Sequence, residues 1–106
     1  MSYRVRWSKT AERDLDRFFD FVLARELESE SGDIEVAARM VETVRRSVDL
    51  LAHSPFTCRK AADGPFLREL VIPSGASGFV ALFEIVDAAT VIIAALRHQR
   101  EDDYLG

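Results

Sequence analysis

The sequence predicts a two-layer α+β domain of order β-α-α-β-β-β, a helical hairpin packed on one face of a mostly antiparallel four-stranded sheet. Three observations predict it. Apolar residues recur at helical spacing through two consecutive segments of the N-terminal half, a short alternating run precedes them, and three strand-like runs joined by hairpin-sized connections fill the C-terminal half. The 106 residues are the common size of one domain, so 1–106 is read as a single unit. With 48% apolar and 30% charged residues, the chain has the composition of a folded globule.

The first element is a half-buried strand, because Tyr3, Val5 and Trp7 alternate with Arg4 and Arg6. Ser8 is a candidate N-cap for the helix that follows, whose apolar stripe is Ala11, Leu15, Phe18, Phe19 and Val22. This helix dissolves in residues 26–33, where Glu, Ser and Gly accumulate, and Gly32-Asp33 supplies a turn and a fresh N-cap. Ala37, Val41, Val44, Val48 and Leu51 form a heptad-like seam, too short for a free coiled coil but suited to an antiparallel partner. Pro55 closes the second helix.

Residues 55–65 read as a loop. Residues 66–72 form a strand stopped by Pro73, residues 74–78 a turn, residues 79–86 the next strand and residues 87–89 a short turn. The last strand, 91–96, is apolar without interruption, which places it in the middle of a covered sheet. The pattern does not locate the first strand; an edge beside the final strand is its expected place.

Charge and cysteine content narrow the functional classes. Fourteen basic against eighteen acidic residues leave a formal net charge of −4, a poor field for gripping long nucleic acid. The charge is uneven: Glu12, Asp14, Asp16, Asp20, Glu26, Glu28 and Glu30 mark the first helix and its exit, whereas Arg59, Lys60, Arg68, Arg97 and Arg100 lie in the C-terminal half. The lone Cys58 cannot form an internal disulfide, and with only His53 and His98 for company it makes no zinc site. A cytoplasmic protein with no signal peptide, no membrane span and no metal is expected. The phosphate-loop, dinucleotide, metalloprotease and hydrolase motifs are absent from the sequence, so no cofactor is expected.

The densest chemistry is in the tail, where Arg97, His98, Arg100 and Tyr104 fall within eight residues. Guanidinium, imidazole and phenol can hold a phosphate or move protons; the same residues also fit a solvated tail in which Arg100 answers Glu101, Asp102 or Asp103. If the strand runs through this point, Arg97 and His98 face opposite sides. Arg68 and Glu69 interrupt an apolar strand, and Arg68 is either a recognition group for an acidic partner or the solvent-side member of an alternating strand. Phe21 lies off the main helical stripe and is a candidate interface residue. His53 and Cys58 are read as having no functional role.

Taken together, Tyr3-Arg4-Val5-Arg6-Trp7-Ser8 with Ala11, Asp14 and Leu15, then Leu67-Arg68-Glu69-Leu70 with residues 78–85, then the ending from Leu96 to Tyr104, resemble the RelE/ParE superfamily of toxins from type II toxin-antitoxin, or plasmid stabilisation, modules. The resemblance spans nearly the whole chain. It implies one of two activities. RelE-like members cut mRNA on the ribosome with groups at the end of the second strand, early in the third and in the tail. Here Pro73 and Val80 occupy the first two places, so only Arg97, His98 and Tyr104 would remain as catalytic candidates. ParE-like members poison DNA gyrase by trapping its cleaved-DNA complex, and carry no catalytic machinery of their own. The acidic charge and the two apolar replacements favour the ParE-like alternative, with Arg97, His98, Arg100 and Tyr104 as target-inhibiting residues. A degenerate, non-toxic antitoxin-binding relic is the third reading. The resemblance also implies a cognate ParD-like antitoxin, whose disordered C-terminal part folds across the toxin to form a hetero-oligomer, with Phe21 and Arg68 as contact candidates. Sequence-specific DNA binding would belong to the antitoxin.

Overall fold

The structure is a computed structural model that describes residues 2–75 and 77–104; Met1, Leu105, Gly106 and Ala76, which falls within the expected 74–78 turn, lie outside the described residues. Its elements are β1 (Arg4–Trp7), α1 (Lys9–Glu28), α2 (Glu35–Asp49), β2 (Arg59–Lys60), β3 (Leu67–Ser74), β4 (Ser77–Asp87) and β5 (Thr90–His98). The strands form one sheet of order β1-β5-β4-β3-β2, in which only the β1–β5 pairing is parallel. The first strand thus sits at an edge beside the last.

Ser8 keeps extended backbone angles and its Oγ accepts the Ala11 N–H at 3.1 Å, which starts α1 where the sequence places it. The chain reverses after α1 past Gly32, where a Cβ would fall 1.8 Å from the Glu26 carbonyl oxygen, so only glycine fits the approach. The backbone N-cap of α2 is Ile34, one residue later than expected, and it provides no side-chain cap. Asp33 still serves the first turn: its Oδ1 accepts the Glu35 N–H at 2.9 Å and its Oδ2 accepts from Arg39 at 2.9 Å. Two 3-10 turns, Leu50–Ala52 and Pro55–Thr57, carry the chain away from α2.

The sheet has five strands among the described residues, not four. Two residues of the expected 55–65 loop form β2, paired with β3 through Arg59 opposite Glu69 and Lys60 opposite Arg68. A two-residue strand has no period to read. β3 also runs through Pro73 to Ser74 instead of stopping at Pro73, which pairs with Gly78. Proline is tolerated there because β2 covers β3 only at Arg68 and Glu69, leaving the rest of β3 as a sheet edge. Gly75, at φ 58°, makes the turn into β4.

Both helices pack on one face of this sheet. The core joins Ala11, Leu15, Phe18 and Val22 of α1 with Ala37, Met40, Val44 and Val48 of α2, and sets them against Ile72, Phe79, Phe83, Ile85, Val91, Ile93 and Leu96. Met40 takes the place expected for Val41, which is half-buried, and Phe19 is half-buried as well. A bulge shapes the end of β5. Leu82 pairs with Ala95 but Phe83 pairs with Ile93, so Ala94 is extra and Leu96 returns to the helix-facing side that Ile93 occupies. The same step aims His98 toward the helices and Arg97 toward the open face of the sheet.

Candidate functional site

The site is built where β5 outruns its neighbour. β1 pairs with β5 only from Thr90 to Ile93, and past that point side chains take over the strand's outward backbone groups. Ser8 Oγ donates to the Ala94 carbonyl at 2.8 Å, Asp14 Oδ2 accepts the Leu96 N–H at 2.9 Å, and Glu101 Oε1 accepts the His98 N–H at 2.8 Å. The Leu96 N–H bond is buried and the other two are part-buried, so an unpaired backbone group is costly here, most of all at Leu96. Asp14 is 4% exposed, and Arg17 lies 3.8 Å from both the Asp14 and Glu101 carboxylates. Sequence reading did not single out Asp14 as a functional residue. The signal was present: an acid on the apolar stripe of α1, three residues after Ala11 and four before Phe18.

The four tail residues divide between the two faces of the sheet. On the open face, Arg97 Nη1 donates to the Glu101 carbonyl at 2.7 Å, its guanidinium lies 5.4 Å from the Tyr104 ring centroid, and its Nη2 lies 3.9 Å from Glu69 Oε2. The Tyr104 hydroxyl donates to that same Glu69 Oε2 at 2.5 Å, while Arg59 Nε donates to Glu69 Oε1 at 3.1 Å. Burial first, and then the Glu69 carboxylate, push the Tyr104 phenol well above its ordinary range; the Arg97 charge opposes this only in part. Tyr104 is therefore a fixed hydrogen-bond donor and a poor proton source.

On the helix side, the His98 ring meets Phe79 edge-on at 5.6 Å, and its Nδ1 accepts the Arg100 N–H at 3.1 Å. In the neutral ring this places the imidazole proton on Nε2. His98 and Arg100 line a cavity of about 530 Å³ together with Arg17, Phe18, Phe21 and Arg25. A second hollow of about 360 Å³ continues from it between α1, α2 and the β3–β4 turn, and Phe18, Phe21, Arg25 and His98 line both. Phe21, 67% exposed, stands at their shared lip.

Arg68 is placed elsewhere and lines neither hollow. Its Nε donates to the Pro65 carbonyl at 2.7 Å, its Nη1 donates to the carbonyls of Phe56 at 3.1 Å and Cys58 at 2.7 Å, and it lies over the Phe56 ring at 5.2 Å. These bonds fold the 56–66 segment back on β3. Cys58 sits within that clamp, its thiol raised by burial against the lowering effect of the Arg68 charge. Val80, 1% exposed, pairs with Val71 on one side and Arg97 on the other.

A family model described as the ParE toxin of the type II toxin-antitoxin system, parDE, matches residues 5–103. The chain belongs to the ParE toxin family. Among solved structures, one described as the chromosomal ParDE TA system from P. aeruginosa superposes with a TM-score of 0.70 at 19% identity, covering 92% of this ParE-family chain and 96% of that one. At that identity the likeness is one of fold. No curated protein matches the sequence. Two helices on a mostly antiparallel sheet are thus the ParE-like fold in this chain, and no helix among its described residues is long and apolar enough to cross a membrane.

Proposed function

We propose that this ParE-family toxin acts in the cytoplasm as a poison of DNA gyrase, with the tail residues Arg97, His98, Arg100 and Tyr104 responsible for inhibition, and that a ParD-like antitoxin neutralises it. The observation that carries this reading is the division of the tail. A ribonuclease needs its cation, its proton-moving groups and its phosphate to converge on one spot. Here Arg97 and Tyr104 are bound to Glu69 on one face, while His98 and Arg100 lie on the other. Pro73 and the buried Val80 add no donor, and losing a single preorganised donor at a developing charge costs about 3 kcal/mol. A protein target makes no such demand, and a net charge of −4 does not hinder binding to one.

The antitoxin is placed at the groove that Phe21 overhangs. An exposed aromatic beside apolar walls, ringed by Arg17, Arg25, Arg39 and Arg100, suits an antitoxin tail that is both apolar and acidic. Arg68 contributes in this reading by holding the 56–66 segment in place. Purified protein should halt supercoiling by gyrase, and pre-mixing with antitoxin should restore it, while a cell-free translation reaction proceeds undisturbed. Arrest of translation with intact supercoiling would replace this reading with the mRNA-interferase one.

A further inference from the structure

The tail is anchored twice, once on each face of the sheet. On the helix side the anchor is Glu101, through the His98 N–H and Arg17. On the open face it is Glu69, a β3 residue whose carboxylate gathers Tyr104, Arg97 and Arg59 while only 15% of its side chain is exposed. Arg97 is just as enclosed, with 14% of its side chain exposed, and its Nη1 is spent on the Glu101 carbonyl. Arg97 therefore offers little surface to any target, and the hydroxyl of the half-buried Tyr104 is already taken by Glu69. Arg100, exposed at the turn between the two anchors, offers much more.

We propose that Glu69 is a positioning residue of the toxin: by holding Arg97 and Tyr104 on the open face, it fixes residues 99–104 so that Arg100 and His98 are presented at the mouth of the α1 groove. The inference rests on the tail being the target-contacting segment. It reassigns Arg97 and Tyr104 from touching the target to shaping the segment that does. The physical reason is geometric. A charged tail with no core of its own keeps one conformation only if bonds at both ends outweigh its chain entropy. On this face Arg97 holds the near end through the Glu101 carbonyl, and the Glu69 carboxylate takes both the Tyr104 hydroxyl at the far end and the Arg97 charge.

The test pairs two readouts on Glu69→Ala, Glu69→Gln and Tyr104→Phe. Trypsin release of the tail at Arg97 and Arg100, followed by mass under native conditions, reports how often the latch opens. Supercoiling inhibition reports function. Glu69→Ala is expected to release the tail roughly tenfold faster and to weaken inhibition by a similar factor, with the thermal midpoint little changed. Glu69→Gln, whose amide oxygen still accepts the Tyr104 hydroxyl, should recover part of both; Tyr104→Phe should match the Gln variant and should not add to Glu69→Ala. Unchanged tail release in Glu69→Ala overturns the proposal, as does faster release with undiminished inhibition. If the unaltered protein leaves gyrase untouched, the functional reading fails by itself, while the cleavage arm still decides whether Glu69 is the latch.

Discussion

Replacing Asp14 by alanine should destabilise the domain more than any other single change on the polar positions of α1. The carboxylate accepts the Leu96 N–H at 2.9 Å, in a bond closed off from water, at the place where β5 has lost β1 as a neighbour. A methyl group cannot accept that bond, and the Leu96 amide would be left buried beside the apolar stripe. Orphaning a buried donor costs about 1–3 kcal/mol, and the lost bond involved a charged partner, so about 2 kcal/mol is expected. For a domain of this size that is a fall of about 10 °C in thermal midpoint. Circular dichroism melts and urea titrations, compared at equal denaturant slope, measure it. Asp14→Asn is the control, since its amide oxygen can still accept from Leu96, and it should cost less. An Asp14→Ala protein within about 0.5 kcal/mol of the unaltered chain would refute the reasoning, because that is the range of surface changes that touch nothing.

Phe21→Asp should leave the melting temperature unchanged, since the ring is 67% exposed, yet weaken antitoxin binding at least about tenfold in a calorimetric titration; full affinity would remove Phe21 from the contact. Arg68→Ala should cost about 1–2 kcal/mol and open residues 56–66 to proteases, because three backbone carbonyls and the Phe56 ring lose their partner. Arg68→Lys, lacking the planar fork, should not restore protection, and a segment as resistant as before in either variant would contradict the clamp. Tyr104 holds its proton longer folded than unfolded, so its contribution to stability is complete below the ordinary phenol value of about 10 and declines as pH rises above it. Tyr104→Phe should lack that decline, and ultraviolet titration of the folded protein should show one late-ionising phenol that this substitution removes.

Much of the fold could be read from period alone. The stripe from Ala11 to Val22 and the alternation of Val5 and Trp7 are local patterns, and the structure keeps both. What escaped depends on partners distant in sequence. β2 is two residues long and exists because Glu69 and Arg68 lie opposite it. Pro73 continues a strand because the edge beside it is open. The bulge at Ala94 leaves no trace in a run as uniformly apolar as Val-Ile-Ile-Ala-Ala-Leu, since either register buries apolar groups. Yet the bulge decides that Leu96 and His98 face the helices. At the site, the separation of Arg97 from His98 follows from strand alternation once β5 is known to reach His98. The fate of Arg68 was hidden, because it binds backbone carbonyls that composition does not mark; Asp14 was marked by its place on the apolar stripe, but its partner, the Leu96 N–H, was not.

The central claim is that gyrase is the target. The most direct measurement is the accumulation of linear, protein-linked plasmid when purified toxin is added to gyrase and supercoiled DNA, with Arg97, His98 and Arg100 jointly replaced by alanine as the comparison. The account predicts cleaved DNA with the natural tail and none with the triple variant, which should keep its fold because none of the three side chains belongs to the hydrophobic core and β5 keeps its backbone pairing. No cleaved DNA with the natural tail, or equal amounts with the triple variant, would contradict it.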